Sequence, residues 1–215
     1  MVMASHTAVR STPMLKTPPV KTDIAEMEPF VGLSMAQISV VRTAAQAEAA
    51  MTVLCSAKWV GFDTESKPTF RKGEQSSGPH VLQFATLEQA FIFQSAHGDT
   101  LPVIVRLLEE RELVKIGFGL SGDLRQIASR FGLRPGGIVD LGGAFRKLGY
   151  RNTVGAKTAV AILFERRMFK SKTVTTSNWA ATELTERQLS YAANDAYAAI
   201  RCHHAMLAGN TEPAL

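Results

Sequence analysis

The run Val60-Gly61-Phe62-Asp63-Thr64-Glu65 changes character partway: apolar up to Phe62, it ends in two carboxylates one residue apart. Side chains alternate along a strand, so Asp63 and Glu65 point to the same side. Two anions on one face at the end of a buried strand repel each other, and desolvating them is costly unless a cation lies between them. Taken alone, the pair reads more readily as a solvated strand end. The surrounding chain decides which reading holds.

Upstream, Gln37–Val41 predicts a short strand and Thr43–Ala57 an alanine-rich helix, leading to the strand Trp59–Thr64. Downstream, His80–Thr86 and Phe91–Phe93 predict strands whose short connections suit antiparallel neighbours. An amphipathic helix (Thr100–Arg111), a strand (Leu113–Phe118), a helix (Gly122–Phe131) and a strand (Gly137–Leu141) follow, and such units imply parallel crossovers. From Gly142 to about Ala208 the pattern is helical. A mixed α/β sheet, antiparallel first and parallel later, flanked by helices, is therefore expected.

The 215 residues are 46% hydrophobic and 20% charged with 16 glycines, which excludes collagen-like, coiled-coil and wholly disordered chains. The longest apolar run, Ala159–Phe164, falls far short of the ~20 residues of a membrane helix, so a soluble chain with no membrane partner is expected. Cys55 and Cys202 are the only cysteines, which argues against a disulfide scaffold or structural zinc and for a reducing compartment, cytoplasmic or nucleoid-associated. Residues 1–30 hold Pro13, Pro18, Pro19 and Pro29 and read as a flexible arm before a single domain over 31–210. The arm lacks acids before Asp23, which leaves organelle targeting open.

Two further runs carry acids in structured places. In Leu120-Ser121-Gly122-Asp123-Leu124, Ser121 suits an N-cap, which puts Asp123 in the first helical turn. In Gln188-Leu189-Ser190-Tyr191-Ala192-Ala193-Asn194-Asp195, Tyr191 and Asp195 are four apart and stack on one helix face, while the alanines allow close packing on a sheet. Asp63, Glu65, Asp123 and Asp195 together make an oxygen-ligand set suited to hard divalent ions, Mg²⁺ or Mn²⁺ where the substrate carries phosphates.

With these runs in hand, the chain resembles the 3′–5′ exonucleases of the DEDD superfamily, tyrosine subtype, the group of ribonuclease D and the Werner-syndrome exonuclease domain. The resemblance rests on VGFDTE (60–65), VLQFAT (81–86), KIGFGLSGD (115–123), SNWAATELTERQL (177–189) and QLSYAANDAY (188–197). It implies a ribonuclease-H-like, DnaQ-like exonuclease fold with a mixed five- to six-stranded sheet flanked by helices. It also implies catalysis with two Mg²⁺ or Mn²⁺ ions about 3.5–4 Å apart. In that family's scheme Asp63 bridges the ions, Glu65 and Asp195 hold the one that activates water, and Asp123 secures the other through water. Tyr191 orients the nucleophile, and 5′-mononucleotides leave a free 3′ end. DNA is favoured over RNA, because the extra helical domain usual in ribonuclease D does not follow Asp195. RNA trimming, or a binding module on an inactive nuclease fold, are the alternatives.

The literal Gly117-x-Gly119-x-x-Gly122, with Asp140 further on, imitates a dinucleotide-binding fingerprint. Asp123 would place a carboxylate where the pyrophosphate binds, so that reading is set aside. The net charge of +5 is concentrated between Arg146 and Thr173, where eight basic residues face Glu165 alone. Within it Arg166, Arg167, Lys170 and Lys172 are candidate backbone contacts for nucleic acid, as are Lys67, Arg71 and Lys72 after the Asp-x-Glu run. Trp179 reads as a core anchor. The oligomeric state is not legible.

Overall fold

The computed structural model describes residues 16–69 and 76–209. A short helix α1 (Lys21–Glu26) leads to strand β1 (Ile38–Val41), helix α2 (Ala44–Ala57) and strand β2 (Trp59–Glu65). Strands β3 (Val81–Ala85) and β4 (Ala90–Gln94) form a hairpin, followed by α3 (Leu101–Glu109), β5 (Val114–Gly117), α4 (Ser121–Phe131) and β6 (Ile138–Asp140). Helices α5 (Leu141–Lys147), α6 (Ala156–Phe164), α7 (Lys172–Thr175) and α8 (Glu186–Ala208) complete the order.

The six strands make one sheet, in the order β1-β4-β3-β2-β5-β6. The hairpin β3–β4 is antiparallel to itself and to β2, while β5 and β6 run parallel to β2. The antiparallel β2–β3–β4 run and the parallel β5 and β6 are as the sequence suggests, and at the far edge β1 lies parallel to β4. The reason is the crossover: α2 carries the chain from β1 over the sheet into β2, and a strand–helix–strand unit of that kind keeps both strands pointing the same way. The hairpin then fills the gap between them.

Alternation along β2 divides the molecule. Val60 and Phe62 enter one core layer with Leu54 of α2, Leu107 of α3 and Ile127 of α4. The opposite face packs α5, α6 and α8, through residues such as Phe145, Val160, Ala196 and Ile200, against Val81, Ala85 and Ile92. On that second face β2 presents Trp59, Gly61, Asp63 and Glu65, with the Trp59 ring edge-on to His203 of α8 at 4.9 Å. Trp179 is fully buried there, its Nε1 donating to Thr175 O at 3.2 Å.

Part of the stretch expected to be an arm is held against the domain. Phe30 N donates to Arg167 O and Arg167 N to Glu28 O, while Leu33 N donates to Asn194 Oδ1 at 2.7 Å. The Phe30 ring also stacks, tilted, on Phe164 at 5.6 Å. The strap thus touches both α8 and the segment before α7.

Candidate active site

Helix α8 begins at a capping box in which Thr185 and Gln188 satisfy each other's backbone donors. It then crosses β2 at Gly61, where a Cβ would lie 1.8 Å from Ala196 O. Only glycine allows this approach, and it sets Asp195, one residue before Ala196, beside Asp63. The carboxylate oxygens of Asp63, Glu65 and Asp195 include a set lying within 4.8 Å of one another. Strand alternation and helix stacking, two local periodicities, therefore meet at one point.

Burial pushes every acid in the site upward, and repulsion between the acids adds to it at Asp63 and Glu65. Asp63 is raised well above the usual carboxylate range, first by burial and then by Asp195 and Asp123. Glu65 is pushed up to about 9, by burial and then by Asp63 and Asp195. Burial also raises Asp123 and Asp195. Among the described residues Lys170 is the cation paired directly with this charge: its Nζ lies 2.7 Å from Asp195 Oδ2 and 5.7 Å from the centre of the Tyr191 ring. Burial opposes its charge, yet Asp195 and Asp63 raise its pKa above that of a free lysine. The ion pair is close without the angles of a directed hydrogen bond, and among the described residues neither buried Asp195 oxygen accepts a well-angled one, although Lys170 and Tyr191 both favour its charged form. Hard oxygen donors, partly unpartnered and short of positive charge, suit a divalent cation held by Asp63, Glu65 and Asp195.

Asp123 stands outside this trio, at the first turn of α4, and accepts a hydrogen bond from Thr64 Oγ1. Thr64 lies between the two β2 acids but faces the other way, so it ties α4 to β2. Ser121 is not the cap of α4. The N-cap is Leu120, whose side chain is buried in the α2/α3 core layer and whose N–H donates to Asp140 Oδ2 at 3.0 Å. Tyr191 is oriented by Thr175 Oγ1, which donates to its Oη at 2.9 Å. Burial, then Asp195, push the phenol up to about 12, so it stays protonated.

The expected nucleic-acid contacts separate into groups. Lys67, Arg166 and Lys172 are exposed, whereas Arg71 and Lys72 lie outside the described residues. Arg167 turns its guanidinium to Ala25 O and over the Phe169 ring at 4.5 Å, and so serves the N-terminal strap. Lys170 points into the carboxylates, a placement the charge pattern of its segment does not reveal. Beside Tyr191 a groove of about 840 Å³ is lined by Met168, Phe169, Val174, Arg187 and Asn194 among others.

The glycine fingerprint also has a structural explanation. A Cβ on Gly117 would lie 2.5 Å from Phe62 O, and Gly119 has φ of +67°. Asp140 is engaged by Leu120 N and by Gly142 N, the latter at 2.9 Å as the cap of α5. These residues turn the chain tightly from β5 into α4 and leave Asp140 no role at a ribose.

Residues 38–208 match the 3′–5′ exonuclease family. A 3′–5′ exonuclease of Arabidopsis thaliana is 30% identical over 145 residues, 65% of this chain and 49% of that protein. The bifunctional 3′–5′ exonuclease/ATP-dependent helicase WRN of Mus musculus is 29% identical over 143 residues, 66% of this chain and 10% of that protein. The match thus spans about half the length of the first relative and a tenth of the second. Among solved structures, Trypanosoma brucei RNase D in complex with RNA U12 superposes with a TM-score of 0.71 at 19% identity, covering 89% of this chain and 66% of that one. The six-stranded mixed sheet is thus of the ribonuclease-H-like kind, no described helix is long and apolar enough to cross a membrane, and the chain belongs to the 3′–5′ exonuclease family.

Proposed function

We propose that the chain hydrolyses phosphodiester bonds at the 3′ ends of nucleic acids and releases 5′-mononucleotides. The observation that carries this reading is the meeting of Asp63, Glu65 and Asp195 within 4.8 Å, beside a phenol fixed by Thr175. Two bound Mg²⁺ or Mn²⁺ ions would supply Lewis acidity and a water of lowered pKa. Asp63 feels the charge of both Asp195 and Asp123, which supports a reading in which it would serve both ions. Glu65 and Asp195 would hold one ion, and Asp123, standing apart, the other through water. Tyr191 keeps its proton, so it can donate a hydrogen bond and orient the attacking water but cannot act as the base. Arg166, Lys172 and Lys67, which are exposed, would meet the phosphate backbone.

DNA and RNA stand level as substrates. The DNA preference rested on where the chain ends, which decides nothing for a match spanning half of one relative and a tenth of the other. Neither curated relative's name states which nucleic acid it cleaves, and the RNA-bound RNase D shares the fold at 19% identity, so neither strand is favoured. Digestion of matched single-stranded DNA and RNA, with chromatography of the products, tests the proposal. It predicts 5′-mononucleotides from at least one strand and none in EDTA. Oligonucleotide products, or binding without products in Mn²⁺, would mean an endonuclease or an inactive binding module.

A further inference from the structure

Strand β3 reads Val81-Leu82-Gln83-Phe84-Ala85, and all five residues are buried. Gln83 is fully buried, yet neither its amide nitrogen nor its amide oxygen has a hydrogen-bond partner among the described residues. Its place is specific. Gln83 pairs directly with Asp63 across the antiparallel β2–β3 ladder, with Val81 opposite Glu65 and Ala85 opposite Gly61. Directly opposed residues share a face, with Cβ atoms about 5 Å apart. Gln83 therefore stands on the α8 face next to the carboxylates, in a row otherwise made of Val81 and Ala85.

An unpaired buried amide opposes folding, and an aliphatic side chain of the same volume would suit this strand better. Packing does not explain a glutamine here, whereas the acid across the ladder does. Asp63 accepts from Thr64 N through Oδ1, which leaves its other oxygen to be steadied. We propose that Gln83 is a positioning residue of the metal site. Its Nε2, which makes no hydrogen bond among the described residues, is the donor assigned to the Asp63 carboxylate when that carboxylate binds a divalent cation, as outer hydrogen bonds ordinarily hold ligating carboxylates. The inference rests on the proposed function only in requiring that these acids bind such an ion.

The test uses the full chain carrying Gln83→Met or Gln83→Leu, with two readings that need no nucleic acid. Thermal melts in EDTA should show a melting temperature unchanged or raised. Mn²⁺ titration, followed by calorimetry or by the electron paramagnetic resonance of free Mn²⁺, should show affinity lowered about 10- to 100-fold. A folded variant that binds Mn²⁺ as the parent does, or loss of the cooperative melt in both variants, would make Gln83 structural and overturn the proposal. A parent chain that binds no Mn²⁺ would remove the metal site itself, so the same titration separates that failure from this one.

Discussion

Asp63→Asn removes one charge from a buried cluster while keeping the acceptor for Thr64 N, so stability and catalysis should part company. Two unit charges 4.8 Å apart repel by about 3.5 kcal/mol at an effective dielectric near 20. Glu65, pushed up to about 9, is largely protonated near neutrality and Asp63 itself holds a proton more readily than a free carboxyl, so only part of that repulsion is expressed. Relief of roughly 1–2 kcal/mol should raise the melting temperature in EDTA by roughly 3–6 °C for a domain of this size. Turnover in Mn²⁺ should fall by about a thousandfold or more, and the Mn²⁺-induced gain in melting temperature should largely vanish. Parallel melts with and without Mn²⁺, and one rate assay, read all three quantities. A melting temperature in EDTA several degrees below that of the parent would show that Asp63 holds the fold together, and the repulsion argument would then be wrong.

Lys170→Met strips the buried Asp195 of its cation and should lower the melting temperature in EDTA by several degrees, with a smaller loss in Mn²⁺. An equal loss in both conditions would mean that Lys170 acts through packing alone. Tyr191→Phe should reduce turnover while Mn²⁺ affinity stays within about twofold of the parent, since the phenol positions water and holds no ion; a matching loss of affinity would make it a ligand. The raised Glu65 pKa also fixes a pH dependence. Between about 4.5 and 9 the folded protein keeps a proton that the unfolded chain has released, so metal-free stability should decline as pH rises through that window. Because an ion must expel that proton, Mn²⁺ affinity should climb by up to about tenfold per pH unit over the same range. Flat affinity from pH 6 to 8.5 would show that no proton leaves on binding.

How much of this was readable in the sequence follows from the range of each interaction. Asp63 with Glu65, and Tyr191 with Asp195, obey periods of two and four residues, so each pair was visible locally. That the pairs meet depends on Gly61, whose missing side chain lets α8 settle on β2, and a glycine in a strand does not name its neighbour. The partner of β1 was not legible, because a four-residue strand records nothing of which edge its crossover reaches. Ser121 has the chemistry of a cap, but Leu120, drawn into the core, starts the helix one residue early. Lys170 resembles its solvated neighbours in sequence, and only the fold turns it inward. Lys115 is a similar case: fully buried in β5, it donates to Leu107 O and Glu110 O at 2.9 and 2.6 Å and so closes the end of α3. Gln83 was hidden by its apolar strand, since an unpartnered amide is visible only once its surroundings are known.

The central claim, that these acids hold ions which open phosphodiester bonds from the 3′ end, is tested most directly by a denaturing-gel time course on one strand labelled at either terminus. The account predicts that in Mn²⁺ the 5′-labelled strand shortens as a ladder, while the 3′-labelled strand releases its label at once as a mononucleotide. EDTA should abolish both. Shortening from the 5′ end, internal cuts, or cleavage undiminished in EDTA would contradict it.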